Sequence, residues 1–191
     1  MPIVNSNKSI SDMTCTEIFQ EIGNHQVLAM MFHDQMIDLY DFLNLSGFKC
    51  WHKHQYKTES EEFINTKGYF MGAHNKLLRV DDPGQPEQVI PDGWYEYTRM
   101  DLNPQLVRQH VEVSFKAYRS WEEYTKRLYE ECSKSLIEMG HIADAEKVNQ
   151  LINDVSCELK EVYEVMLKLK ASNYDIVYIL DIQDKLHKKY K

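Results

Sequence analysis

Apolar side chains recur along the first part of the chain in steps of three and four: Ile18, Ile22, Ala29, Phe32, Met36, Leu39 and Leu43, with His25 on the same stripe. That spacing predicts one long helix. Its start is marked by Thr14-Cys15-Thr16-Glu17, the pattern of a capping box in which hydroxyl and carboxylate satisfy the free amides of the first turn. Asn44-Leu45-Ser46-Gly47 reads as a tight turn, and a second helix is predicted from about Phe48 to Leu78, with His52, Tyr56, Glu59, Phe63, Phe70, His74 and Leu77 near one face. A turn this short makes the pair antiparallel. Each helix of about thirty residues spans roughly 45 Å, too long for a compact mixed fold and suited to a bundle. Gly68 and Gly72 inside the second helix predict close approach by another element. His25, His33, His52 and His74 all fall where the hairpin's inner stripes should lie.

Residues 79–103 break the pattern, with prolines at 83, 86 and 91 and glycines at 84 and 93. A connection this long can run from one end of a bundle to the other. Its Trp94, Tyr95 and Tyr97 are read either as anchors that pin the crossover to the bundle or as a partner-binding patch. Asn103 and Pro104 then form an N-cap and first helical residue. A stripe through Val107, His110, Ser114, Ala117, Trp121, Tyr124, Leu128 and Leu136 runs to Gly140, which fits a left-handed helix terminator. A fourth helix carries Val148, Ile152, Val155, Leu159, Val162, Met166 and Leu169 inward. Ser172-Asn173-Tyr174-Asp175 reads as a second capping box opening a short fifth helix through Ile176, Ile179, Leu180 and Leu186. No segment has strand periodicity. The expected organisation is all-α, with a flexible arm over 1–12 and a single helical-bundle domain over 13–191.

At 191 residues the chain can bury a core without metal or disulfide help. Cys15, Cys50, Cys132 and Cys157 are scattered, with neither a zinc-ribbon nor a disulfide-framework spacing. The N-terminal residues lack the pattern of a secretory signal, and no run of 18 apolar residues follows, so a cytoplasmic protein with no membrane partner is expected. A net charge of -8 argues against broad nucleic-acid binding, which draws on a cationic surface. Phosphate loops, nucleophile elbows and H-E-x-x-H pairs are absent, and whether the chain is an enzyme stays open.

Two hairpins joined by a long crossover, followed by a short helix, resemble the ferritin-like fold: an up-down-down-up four-helix bundle with a long connection between its second and third helices. The resemblance implies a homo-oligomer and a two-metal centre of iron or manganese, held by a Glu from each of two helices and a Glu-x-x-His pair from each of the other two. This sequence departs from that motif. The second helix offers Glu59-Ser60-Glu61-Glu62 and the fourth Glu158-Leu159-Lys160-Glu161, each with Glu in place of His; the one Glu-x-x-His, Glu138 to His141, falls on the turn between helices three and four. A local resemblance is carried by His33-Asp34-Gln35, Asp38 to Leu43, Gly47-Phe48-Lys49, Trp51-His52, Glu59-Ser60 and His74 to Leu77. These look like small proteins of phages and mobile elements in Gram-positive bacteria, which implies a genomic setting and a host-protein partner.

Counting residues from the turns places candidate ligands by level. Counted from Gly47 and from Leu45 with Leu102, His33 faces Glu59 and Glu62 and lies level with Glu112, giving an upper metal set of His33, Glu59, Glu62 and Glu112. Counted from Leu45, Leu102 and Gly140, a lower set combines His25, Glu122 and Glu158, with Tyr69 on the second helix. Against both stands the plainer reading that histidines on an apolar stripe are hydrogen-bonded core residues and flanking glutamates are solvated. Three functions are compatible with this pattern: a ferritin-like protein acting by oligomerisation or partner binding; a divalent-metal oxidase or storage protein; and a magnesium-dependent all-α nucleotide pyrophosphatase using Glu59, Glu61, Glu62, Glu158 and Glu161.

Overall fold

Five helices account for nearly all the regular structure in the computed structural model, which describes residues 8–80, 83–84, 96 and 98–191. Helix α1 (Cys15–Phe42) opens on the predicted capping box: Thr14 accepts from the Glu17 amide while its own amide donates to the Glu17 carboxylate at 2.8 Å. It stops where Asn44 takes φ 57°, and α2 (Ser46–His74) runs back along it until Asn75 adopts a left-handed conformation. Helix α3 (Pro104–Glu138) begins at Asn103, whose side chain accepts from the Leu106 amide at 2.9 Å. Gly140 at φ 80° turns the chain into α4 (Ile142–Ala171). The last helix, α5 (Ile176–Tyr190), is capped by Asp175, which accepts from the Val177 amide at 2.9 Å. Ser172 instead donates to the Leu169 carbonyl, so the second predicted capping box does not form.

Cross-contacts fix the directions. Tyr69 and His74 near the end of α2 meet Asp144 at the start of α4, beside Cys15 at the start of α1. At the opposite end Gly47 meets Gln183 of α5, and Tyr40 of α1 meets Ser114 of α3 at 2.7 Å. The order is therefore up-down-down-up. Within the predicted arm Ile10–Asp12 forms a 3-10 turn; Ile10 lies on the apolar core and its carbonyl accepts from Ser135 of α3, while Lys8, Ser9, Ser11 and Asp12 are exposed.

Among the described residues nothing makes the predicted close approach at Gly68 or Gly72, where a Cβ would meet no atom within 4 Å. It occurs at Gly47, where a Cβ would sit 1.7 Å from the Gln183 carbonyl oxygen. The missing side chain lets α5 cross the start of α2 and bury Ile179, Ile182 and Leu186.

The core is split in two. An upper apolar cluster runs from Leu28 to Trp51 on the first hairpin and includes Phe115, Tyr118, Trp121, Val162, Met166 and α5. A lower one gathers Ile18, Phe19, Ile22, Phe70, Tyr129, Cys132, Leu136 and Val148. Between them lies a band of buried polar side chains.

Candidate metal centre

That band is built by helix periodicity. Glu59 and Glu62 are one turn apart on α2, Glu122 comes from α3 and Glu158 from α4. Glu59 and Glu122 are only 5% and 1% exposed, whereas Glu62 and Glu158 are partly exposed. Oε2 of Glu59 and both oxygens of Glu122 are buried without a hydrogen-bond partner. Desolvation raises the proton affinity of all four, and their mutual repulsion adds to it. Glu59 is pushed well up by burial, then by Glu62, Glu158 and Glu122; Glu122 by burial, then by Glu158 and Glu62. Burial and then Asp154 push Glu62 up to about 7, with Lys147 opposing. Burial and then Glu62 push Glu158 up to about 8, a hydrogen bond from Gln55 opposing. The same Gln55 amide donates to Tyr118 at 3.2 Å.

Orphaned carboxylate oxygens facing one another in low dielectric are costly unless a cation or shared protons compensate. Their chemistry is that of a hard, multivalent cation site. No three ligand atoms of this band lie within 4.8 Å of one another. Among the described residues the one set of three ligand-type atoms within 4.8 Å of one another lies elsewhere, at Cys15, His141 and Asp144.

The two predicted ligand sets are thus recombined. His33 Nδ1 lies 3.0 Å from His52 Nδ1, and its ring packs edge-on against Tyr118. Glu112 turns outward to an ion pair with Lys116 at 2.7 Å. Glu59 and Glu62 are joined instead by Glu122 and Glu158. His25 is held by Thr125 at 2.7 Å and stacks on Trp121, its Nδ1 buried without a partner. The reason is overhang: α3 has 35 residues against 28 in α1. The surplus, about two turns, lies at the crossover end, so Tyr40 rather than His33 meets Ser114. Helix α1 adds no ligand at this level. Between the cross-contacts His33 to His52 and Gln26 to Thr66, its residues 27–32 carry no ionisable side chain. Trp94, Tyr95 and Tyr97 lie outside the described residues.

This arrangement of two antiparallel hairpins, a crossover and a short terminal helix is the ferritin-like fold. An open-pore ferritin from the hyperthermophilic archaeon Archaeoglobus fulgidus aligns over 91% of this chain and 94% of its own, with TM-score 0.73 and 14% identity. A closed form of that ferritin, engineered by mutagenesis, aligns over 91% and 94% at TM-score 0.70 and 15% identity. A PmFTN variant soaked in iron aligns over 88% and 96% at TM-score 0.67 and 12% identity. No protein-family model matches the sequence, and no curated protein matches it.

Proposed function

We propose that the chain is a ferritin-like protein that binds divalent manganese or ferrous iron in the mid-bundle band. The observation that carries this is the proximity of Glu59, Glu62, Glu122 and Glu158, close enough for their charges to act on one another between two apolar clusters, with three carboxylate oxygens buried and unpartnered. Nothing in the packing needs acids there; a bundle of this length would be more stable with apolar residues at those positions. The absence of a histidine among the four makes the set harder than a Glu-x-x-His centre, which favours manganese and ferrous iron over softer ions. Neighbours that are ferritins, one of them soaked in iron, agree with this reading. Bound metal would supply Lewis acidity or redox chemistry; the protein residues would neutralise its charge and shield it from solvent. The partly exposed Glu62 and Glu158, with Asp154 beside them, give cations an acidic way in from the α2–α4 seam. The burial of Glu59 and Glu122 counts against the pyrophosphatase reading, which needs its magnesium ions exposed to a nucleotide.

The test is elemental analysis of protein purified without chelator or added metal. Manganese or iron is expected in the native chain and should be lost in a Glu59→Gln/Glu122→Gln double variant. Unchanged metal content in that variant would refute the assignment. Self-association is the second reading, favoured by apolar side chains left outside: Leu167, Val177 and Tyr178 are 71%, 68% and 57% exposed on α4 and α5. A second copy of this chain is the partner inferred, and a monomeric mass by light scattering would exclude it.

A further inference from the structure

The end of the bundle away from the α1–α2 turn collects a second and chemically different set of ligand atoms. The up-down-down-up order brings three helix ends together there: Cys15 is the first residue of α1, His74 the last of α2, and His141 and Asp144 lie at the start of α4. Asp144 is the hub. Its Oδ2 is 3.4 Å from Cys15 Sγ and 3.0 Å from His141 Nδ1. Its Oδ1 accepts from the Tyr69 hydroxyl at 3.0 Å and lies 3.0 Å from His74 Nε2. Cys15 Sγ, His141 Nδ1 and an Asp144 oxygen all fall within 4.8 Å of one another.

These separations suit one ion. A tetrahedral zinc with bonds of about 2.0–2.3 Å sets its ligands roughly 3.3–3.8 Å apart; Asp144 lies 3.4 Å from Cys15 and 3.0 Å from His141, and the third pair is within 4.8 Å. Thiolate, imidazole and carboxylate together select a borderline ion such as zinc, whereas manganese, magnesium and calcium prefer oxygen alone. The outer partners are also in place: Tyr69 and His74 hold the other Asp144 oxygen, Oδ1, with His74 Nε2 3.9 Å from Cys15 Sγ, the role that fixes ligand orientation around many metals. Asp144 is buried at 7% side-chain exposure while His141 is 43% exposed, so the group is anchored on the inside and open to solvent on the outside. If the cluster were only a hydrogen-bond hub, a thiol would be its weakest member, since an S–H donates poorly.

We propose that Cys15, His141 and Asp144 ligate a zinc ion, with His74 and Tyr69 as positioning residues and a fourth coordination position facing solvent. Binding converts the Cys15 thiol to a thiolate and releases its proton to solvent. The ion clamps the starts of α1 and α4 and, through Asp144, the end of α2, the point from which the crossover departs.

The experiment titrates cobalt(II), then zinc(II), into metal-free full-length protein carrying Glu59→Gln and Glu122→Gln, so that failure here and failure of the mid-bundle reading are separable. About one equivalent of cobalt per chain should give a thiolate-to-cobalt charge-transfer band, bleached by an equivalent of zinc. Adding Cys15→Ser should abolish the band and weaken zinc binding at least ~100-fold, while His74→Ala should keep the band and weaken binding about tenfold. Circular dichroism without metal separates lost ligation from lost folding. No charge-transfer band in protein with Cys15 present, or an unchanged band after Cys15→Ser in a folded protein, would overturn the proposal.

Discussion

Replacing Glu158 by Gln should make the metal-free protein more stable, although it deletes a polar contact. Burial and Glu62 move this carboxyl from its ordinary 4.5 to about 8. A group whose proton affinity is raised by folding supports the fold fully below pH 4.5 and loses that support as pH rises to about 8. At about 1.4 kcal/mol per unit the loss approaches ~5 kcal/mol for a fully buried, isolated group. Glu158 is partly exposed and shares its titration with its neighbours, so roughly half of that, about 2 kcal/mol, is the working figure. For a chain of this size that is a rise in Tm of about 4–8 °C. Thermal melts by circular dichroism in chelator should show Glu158→Gln ahead of the native chain by that margin at pH 8, with most of the gap gone at pH 5. Manganese should reverse the order by stabilising the native protein, by about 2.7 kcal/mol at a hundredfold excess over its Kd. The exposed Glu130→Gln serves as control and should melt as the native chain does. An equal or lower Tm for Glu158→Gln at pH 8 in chelator would refute the claim that these carboxylates oppose one another in the apo fold.

Gly47→Ala should displace α5, because the added Cβ meets the Gln183 backbone at 1.7 Å. Undocking exposes Ile179, Ile182 and Leu186, a loss of about 2–4 kcal/mol after local relaxation, and limited proteolysis should then cut before α5. Thr14→Ala removes the acceptor for the Glu17 amide and should cost about 1 kcal/mol in chemical denaturation. Burial holds His25 and His33 down at about 3, so they stay neutral in the fold while the unfolded chain takes up protons. Their support is present above pH 6.5 and is lost as pH falls towards 3. His25→Gln should therefore flatten the fall in denaturation free energy between pH 6 and 4 by up to about one proton's slope; an unchanged slope would contradict the burial argument.

Helix number, order and direction were legible because three- and four-residue spacing, caps and terminators agree with one another along this chain. Thr14, Asn103 and Gly140 each perform the local role their chemistry predicts. Level was not legible, because turns mark where helices end and not how far one hairpin slides past the other. The seven-residue overhang of α3 exchanged Glu112 for Glu122 as the partner of Glu59 and Glu62. Gly47 illustrates the same limit: what it touches is α5, 136 residues along the chain. The end cluster left one trace in the sequence. Glu138-x-x-His141 drew attention to the α3–α4 turn, but its histidine pairs with Asp144 and Cys15, while Glu138 faces outward beside Lys134.

The polar band is where local economy and global function part. Most inward positions of the bundle are apolar, and buried polar groups at other heights have partners, as His33 has His52, His25 has Thr125 and Asp144 has Tyr69 and His74. At mid-height four residues of a single type and sign come together from three helices, and Glu59 and Glu122 have carboxylate oxygens buried without a partner. Acids on the outside of the bundle pair with lysines, as Glu112 does with Lys116 and Glu161 with Lys189. Glu59 and Glu122 find only other carboxylates, and they do so from three different helices. A sequence that is locally consistent elsewhere accepts such a conflict where function requires it. In the metal-free fold shared protons relieve that conflict, and a divalent cation, with two positive charges and several open coordination positions, would relieve it without them.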